Sequence, residues 1–259
     1  MTDLSLTWWG HACATVQIGG AADGVRVAVD PLLSDQLFHL HRYTVRPTAE
    51  ASDADVVLIS HLHHDHLHLP SLRRFARDVP ILVPRGGETL LRDLGTDRVQ
   101  PVEPGDVVEV GGTTVRVLAA THDGGRGPHT KITGPPLGFR VDRAERSFWF
   151  PGDTELREDM YDVGRVDLAL IPVGGWGPTL EDGHMDPVDG AEAVRRVGAG
   201  VAVPVHWGTF WPLGLRRLAR ANHHRLFVTP GDRFVTAMTD LAPDVRPELA
   251  TPGEPLTVL

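Results

Sequence analysis

The chain has 259 residues, of which 41% are hydrophobic and 14 are histidine, and its formal net charge at pH 7 is −9. A chain of this length and hydrophobicity can bury a full core, which excludes a disordered or fibrous protein, and we expect a single domain over residues 1–259. The negative charge argues against a nucleic-acid-binding surface and against an anionic membrane face.

The cysteine count and the N-terminus bear on the compartment. Cys13 is the single cysteine, which excludes an internal disulfide and fits a reducing environment. The N-terminus lacks a charged start followed by an apolar core, so we expect no signal peptide. No window approaches about 18 uninterrupted apolar residues, which argues against stable membrane insertion. We therefore expect a cytoplasmic protein, for which an oligomer is possible.

The first part of the chain is rich in strands. Runs of alternating or continuous apolar residues predict strands over 4–9, 12–18, 25–29 and 55–60. The third run ends at Asp30-Pro31, where an acid can orient a metal-binding histidine or simply stabilise a turn. Residues 32–54 are predicted to form a long irregular loop, and loops of that length in a compact domain are usually functional or mobile.

A run of histidines follows the strand at 55–60 directly. It reads His61-Leu62-His63-His64-Asp65-His66, and imidazole and carboxylate are the side chains that bind zinc and similar divalent metals. The alternation of His61 and His63 lets both point the same way toward one ion. Asp65 and His66 lie beyond them and can face a second ion. The other reading is an exposed polar loop, but a position just after a buried strand is a usual location for a site.

Strands and helices alternate through the rest of the chain. Helices are predicted over 70–77, 87–94, 187–197 and 213–221, and strands over 81–83, 99–102, 107–110, 113–120, 137–141, 147–150, 166–173, 201–205 and 226–228, followed by a proline-rich tail. This order suits two packed sheets flanked by helices, an α/β fold.

Polar residues recur where apolar strands end. The strands that end at Ser60, Ala120, Phe150 and Val205 are each followed by a histidine or by Gly-Asp. If these strands run side by side, they bring ligands from four segments to one place. His122 is the best third ligand beside His61 and His63, and His206 fits beside Asp65 and His66. Asp153 can bridge two cations, because a carboxylate has two oxygens.

Taken together, these motifs resemble the metallo-β-lactamase superfamily. Further segments resemble its branch of ascorbate-6-phosphate lactonases and N-acyl-phosphatidylethanolamine-hydrolysing phospholipase D: 8–12 (WWGHA), 30–34 (DPLLS), 148–154 (FWFPGDT), 184–187 (HMDP) and 206–210 (HWGTF). The resemblance implies a four-layer αβ/βα sandwich with a dinuclear site at one edge of the sheets. It implies that one metal is held by His61, His63 and His122, the other by Asp65, His66 and His206, with Asp153 between them.

Such a site implies hydrolysis. Two divalent cations lower the pKa of a shared water, and the resulting metal-bound hydroxide attacks a phosphorus or carbonyl centre. Asp65 could accept the proton of that water, and His184 could act as an acid toward the leaving group. The ions are most simply Zn²⁺, although Mn²⁺ or Fe suits the same ligands. His11 could line the site, and Arg126 and Tyr43 lie on candidate rim loops.

Three functions stay open at this stage. The first is a hydrolase of a small phosphodiester, a phosphorylated lactone or a related ester. The second is a nuclease of the same superfamily, although no basic arm is visible and no nucleic acid is expected as partner. The third is a non-catalytic metal- or ligand-binding module. The other histidines, at positions 64, 68, 129, 223 and 224, are expected to be solvated.

Overall fold

The structure, a computed structural model, describes residues 3–20, 23–127, 130–175, 180 and 182–259, without the side chain of residue 96. Histidine 129 and part of the glycine-rich stretch at 174–177 therefore lie outside the described residues. Within the described part, two large sheets pack face to face, and the helices lie on their outer faces. This is the α/β sandwich that the sequence predicted.

Three sheets form in the described residues. The first has the order β17-β1-β2-β3-β6-β7-β8 and the second the order β16-β14-β13-β12-β11-β10-β9, while β15-β5-β4 make a small third sheet. The strands are β1 Leu4–Gly10, β2 Cys13–Ile18, β3 Val25–Val29, β4 Gln36–Leu37, β5 Leu40–Arg42, β6 Val56–Leu58, β7 Ile81–Pro84, β8 Val99–Val102, β9 Val107–Val110, β10 Thr113–Ala119, β11 Leu137–Arg143, β12 Arg146–Phe150, β13 Val166–Pro172, β14 Ala199–Val205, β15 Phe210–Pro212, β16 Arg246–Pro247 and β17 Pro255–Thr257.

The direction of the strands decides where their ends meet. In the first sheet, β1 and β3 are both antiparallel to β2, and β6 is parallel to β3, so all three run the same way. In the second sheet, β10 and β12 are both antiparallel to β11, and β13 and β14 are parallel to β12. The segments that follow strands of one direction therefore leave each sheet at one edge.

Apolar side chains fill the space between the two sheets and the space beneath the helices. The interior cluster contains Leu6, Val27 and Leu58 from the first sheet and Phe139 and Leu168 from the second. Separate clusters lie under the outer helices of each sheet. The helices are α1 Leu69–Leu72, α2 Pro187–Val197, α3 Leu215–Leu218, α4 Arg220–His223 and α5 Pro230–Leu241, with short 3₁₀ segments at Ala49–Ser52, Gly87–Leu90, Arg92–Leu94, Thr96–Arg98 and Glu158–Val163 and a π-helical turn at His224–Val228.

Helix α2 follows its prediction because its start is well specified. Asp186 accepts hydrogen bonds from the backbone N–H groups of Val188 and Asp189, and the Asp189 side chain accepts one from the Asp186 backbone. Pro187 occupies the first turn, where its missing N–H costs nothing. Gly198 ends the helix in a left-handed conformation.

Several predicted elements were wrong or incomplete. The helix predicted over 70–77 is reduced to α1, and that over 87–94 consists of 3₁₀ turns. The strand predicted over 226–228 is part of the π-helical turn, and the following tail contains α5. That helix packs against α2 through Phe234 and Met238, a tertiary contact that replaces the strand suggested by local β propensity. Residues 32–54 are less irregular than expected, since they form the hairpin of β4 and β5.

Candidate metal centre

Three histidines converge at one point. His61 Nε2 and His122 Nε2 lie 3.1 and 3.2 Å from His63 Nδ1. His61 follows β6, and His122 follows β10, so the two sheets contribute jointly. The predicted residues of the first ion site are therefore adjacent in space.

Neighbouring groups fix the orientation of these rings. The hydroxyl of Ser60 donates to Asp30, so it accepts from His61 Nδ1–H at 3.0 Å. His122 Nδ1–H donates to the Gly183 carbonyl at 2.9 Å. In a neutral imidazole the second ring nitrogen then carries a lone pair, and here both lone pairs are directed at His63.

The second predicted group is also assembled. His66 Nε2 lies 3.1 Å from His206 Nε2, and Asp153 Oδ2 lies 3.2 Å from each of them. Asp65 Oδ2 is 3.5 Å from His66 Nε2 and 3.8 Å from His206 Nε2. Asp153 and His122 also belong to one group with ligand atoms within 4.8 Å, so Asp153 lies between the two groups.

In His66 and His206, too, the ring nitrogen that points away from the group contacts a hydrogen-bond acceptor. Asp30 is fully buried, and its carboxylate accepts from the Ser60 backbone N–H and from His66 Nδ1–H, both at 2.7 Å. His206 Nδ1–H donates to the Gly174 carbonyl at 2.9 Å. Asp30 thus orients a candidate ligand rather than serving only as a turn residue.

This pattern fits cations. In neutral His66 and His206 the Nε2 lone pairs face each other, an arrangement that is repulsive unless a proton or a metal ion lies between them. Asp153 Oδ1 is buried and has no hydrogen-bond partner among the described residues. An unsatisfied buried carboxylate oxygen is costly, and a bound cation removes that cost. The donor set of imidazole and carboxylate is one that zinc, manganese and iron accept.

The pKa shifts of these residues also favour bound cations. Burial and the neighbouring His66 charge hold the pKa of His61 well below its ordinary value, and burial lowers that of His122 to about 4. Burial would also lower the pKa of His66, but Asp153, Asp65 and Asp30 raise it well above the ordinary value. Burial would raise the pKa of Asp153, yet the charges of His206 and His66 hold it well below its usual range. The carboxylates around His66 therefore favour a positive charge there.

His11 supports the site from the turn between β1 and β2. Its Nε2–H donates to Asp65 Oδ2 at 2.8 Å, and its ring lies 3.9 Å from that of His206. Burial lowers the pKa of His11 to about 3, so the ring is neutral and acts as a donor. His11, Asp30 and His206 all have φ between 39° and 65°, a conformation that non-glycine residues seldom adopt. Such residues cluster at functional sites.

Arg126 supports the histidine run, although the sequence could place it only on a candidate rim loop. Its guanidinium Nη1 donates to the carbonyls of Leu62 and Leu67 at 2.6 Å and to that of His63 at 3.3 Å. It therefore holds the turn that carries the histidine run. The signal was a lone arginine in a glycine-rich loop, which does not reveal its partners.

A cleft of about 460 Å³ opens onto the site, a volume suited to a small molecule. His184 lines it, with Nε2 3.4 Å from Asp153 Oδ2 and its ring 4.7 Å from that of His122. Phe38 and His39, at the turn of the β4–β5 hairpin, form part of its mouth. Residues 32–54 thus contribute to the cleft.

Two of the remaining histidines are not solvated as expected. His223 is buried against Trp211 and Phe227. His68 is half-buried and its Nδ1 is 2.7 Å from Ser71 Oγ. Tyr43 contacts Phe227 and does not line the cleft.

The fold and the clustered histidines together define a class, the α/β sandwiches with a metal-binding edge. Comparison with known proteins gives the family. The model of the β-lactamase superfamily domain matches residues 25–207, and the chain therefore belongs to the metallo-β-lactamase superfamily. The resemblance seen in the sequence is confirmed.

Individual relatives agree with that assignment. A UPF0173 metal-dependent hydrolase of Thermoplasma acidophilum is 32% identical over 81% of this chain and 86% of its own length. An N-acyl-phosphatidylethanolamine-hydrolyzing phospholipase D of Caenorhabditis elegans is 30% identical over 82% of this chain and 65% of its own. The structure of Igni18, a metallo hydrolase from Ignicoccus hospitalis, has a TM-score of 0.73 at 21% identity and covers 98% of both chains.

Some relatives are considerably longer than the aligned part. The chain spans 59% of the length of a Mycobacterium tuberculosis protein to which it is 32% identical. The described helices include none that is long and apolar enough to cross a membrane.

Proposed function

We propose that the protein is a metal-dependent hydrolase with a dinuclear site that cleaves a small phosphodiester, a phosphorylated lactone or a related ester. The single observation that carries the proposal is the orientation of the histidines. Four of the five histidines in the two groups direct lone pairs inward, while acceptors on their far sides hold the opposite ring nitrogens. Relatives named metal-dependent hydrolases support the reaction class.

The geometry supports one ligand set for each ion. One ion would be held by His61, His63 and His122 through the nitrogens that converge within 3.2 Å. The other would be held by Asp65, His66 and His206. Asp153 would bridge them, because one of its oxygens faces His66 and His206 and the other is free of hydrogen bonds in the described chain. Two such cations, when bound, lower the pKa of a water toward neutrality and stabilise negative charge on phosphoryl or acyl oxygens.

The remaining residues position groups and move protons. His11 holds Asp65 through a 2.8 Å hydrogen bond, which fixes the carboxylate. Burial would raise the pKa of Asp65, but the charge of His66 and the hydrogen bond from His11 hold it well below its usual range, so the carboxylate is ionised. It can accept a proton from the attacking water. His184 stands at the wall of the cleft beside Asp153 and can hold a proton at Nε2 for the leaving group.

The test is a panel of substrates with matched variants. Wild type and the Asp65→Asn, His206→Ala and His184→Gln variants are assayed on a phosphodiester, a phosphorylated lactone, an acyl lactone and a β-lactam. We expect hydrolysis of at least one ester, a loss of at least about 10²-fold for each ligand variant, and lower kcat with full metal content for His184→Gln. Val107→Ser, at an exposed position on β9 away from the cleft, is the control. Hydrolysis that is unchanged in the ligand variants, or absent from metal-loaded wild type on every substrate, refutes the proposal.

A further inference from the structure

The protein carries an arginine-rich segment, residues 213–228, that differs sharply from the rest of its surface. The chain as a whole has a net charge of −9, but it has no acidic residue between Glu192 and Asp232. The segment itself contains four exposed arginines, at positions 216, 217, 220 and 225. None of the four forms an ion pair within the described part of the chain. Charge of one sign is thus concentrated here without internal compensation.

The same segment exposes large aliphatic side chains. Leu218 is 84% exposed, Leu213 is 70% exposed, and Val228 is also exposed. Surface leucines that alternate with arginines are typical of helical segments that lie in the interface of a membrane, with apolar groups among the acyl chains and cations at the phosphates. The long stems of arginine let its head groups reach the phosphates while its methylenes cover apolar surface.

The position of the segment links it to the cleft. In the small sheet, β15 is antiparallel to β5, and Pro212 pairs with Leu40. Leu213 therefore follows β15 at the end of the sheet where the β4–β5 hairpin turns. Phe38, in that turn, is 65% exposed and lines the mouth of the cleft. Its φ of 52° is costly for an aromatic residue, which indicates that the exposed position has a use.

We propose that residues 213–228, with Phe38 beside them, form a docking surface for an anionic phospholipid bilayer. The arginines meet the lipid phosphates, and Leu213, Leu218 and Phe38 enter the headgroup region. Because the whole chain has a net negative charge, an anionic bilayer repels its other faces. The protein therefore approaches the bilayer with this surface. Docking places the mouth of the cleft against the membrane without inserting a helix across it.

The arginines and the leucines together restrict which partner can occupy this surface. A single-stranded RNA would use the arginines, but it would not account for two leucines that are more than two thirds exposed. A second copy of the chain would cover the leucines, but it would leave four arginines facing an identical set across the interface. An anionic bilayer satisfies both groups.

The experiment is co-sedimentation of the full chain with vesicles of phosphatidylcholine alone and of equal parts phosphatidylcholine and phosphatidylglycerol. It needs no turnover, so its outcome is independent of the proposed function. We expect binding to the anionic vesicles, little to the neutral ones, and weakening by salt. The double variant Arg216→Gln/Arg217→Gln should bind roughly 25-fold more weakly, at about fivefold for each charge. Leu218→Ser should bind about tenfold more weakly.

Matched controls come from other faces. Val107→Ser removes a comparably exposed aliphatic residue on β9, and Arg77→Gln/Arg92→Gln removes two exposed arginines outside the segment. Both should bind vesicles as wild type does. Absence of vesicle binding overturns the proposal, as does binding that the controls weaken equally. Binding of an RNA oligonucleotide that depends on the arginines but not on Leu218, or a dimer that Leu218→Ser dissociates, with no vesicle binding in either case, also overturns it.

Discussion

Substitution of Gly183 tests whether His122 is a ligand in the group formed by His61, His63 and His122. Its φ is +84°, its carbonyl accepts from His122 Nδ1–H, and a Cβ at this position would lie 2.7 Å from that nitrogen. In Gly183→Ala the His122 ring must therefore move by several tenths of an ångström. Metal–nitrogen distances tolerate only about 0.2 Å. We expect the His122-dependent ion to bind about 10- to 100-fold more weakly, the usual cost of disturbing a group that orients a ligand.

A second glycine separates this effect from backbone strain. Gly105 has a φ of +97°, and a Cβ there would meet nothing within 4 Å. Both alanine variants lose roughly 1–2 kcal/mol of stability because of the left-handed backbone, but only Gly183→Ala collides with a candidate ligand. Zn²⁺ affinity is measured by competition with a chromophoric chelator, and stability by chemical denaturation. If Gly183→Ala binds two ions as tightly as Gly105→Ala, the assignment of His122 is refuted.

Three further predictions concern other parts of the site. His122→Ala and His206→Ala should each bind one Zn²⁺ fewer by metal analysis, and loss of both ions or neither in both variants would contradict two separable groups. Arg126→Met should lower the free energy of unfolding by about 3 kcal/mol, because three carbonyls lose a buried charged donor; an unchanged unfolding midpoint in urea would contradict that role. Burial lowers the pKa of His68 from 6.5 to about 4 in the folded protein. As the pH falls below 6.5, the unfolded chain is protonated at His68 before the folded protein is. The free energy of unfolding therefore decreases between pH 6.5 and pH 4. His68→Gln should reduce this loss relative to wild type while matching it at pH 8, and parallel pH curves would contradict the prediction.

The sequence predicted the fold and the residues of the candidate site because both depend on local patterns. Buried strands read as apolar runs, and polar residues at their ends stand out against them. His61, His122 and His206 lie far apart in the chain. His122 and His206 follow strands of the second sheet that run the same way, and His61 follows β6 of the first sheet. The polar residues at the ends of apolar strands, together with the resemblance, were enough to predict that these histidines meet at one edge. Their role as metal ligands stays a prediction.

The residues that hold the ligands were harder to predict. Asp30 could be read either as a turn acid or as a partner of a histidine, and only the fold brings it within 2.7 Å of His66. The carbonyl of Gly174 is a backbone group, which no residue pattern can mark. Arg126 acts on carbonyls 59 to 64 residues away in the chain. Such contacts are determined by loop geometry, which sequence periodicity does not predict.

The C-terminal part was mispredicted for a related reason. Leu226, Phe227 and Val228 were read as a strand, but they end the arginine-rich segment in a π-helical turn that leads into α5. Packing of Phe234 against α2 decides the outcome there. The overall charge of −9 also concealed the local basic segment, because net charge averages over the surface. Exposure, which only the structure gives, made that segment visible.

The central claim is that the two groups of side chains bind two cations. The most direct measurement is anomalous diffraction from crystals of the protein soaked in Zn²⁺, recorded on both sides of the zinc absorption edge. We expect two peaks about 3.5–4 Å apart, one among His61, His63 and His122 and one among Asp65, His66 and His206, with Asp153 between them. The absence of both peaks, or peaks only elsewhere on the molecule, would contradict the claim.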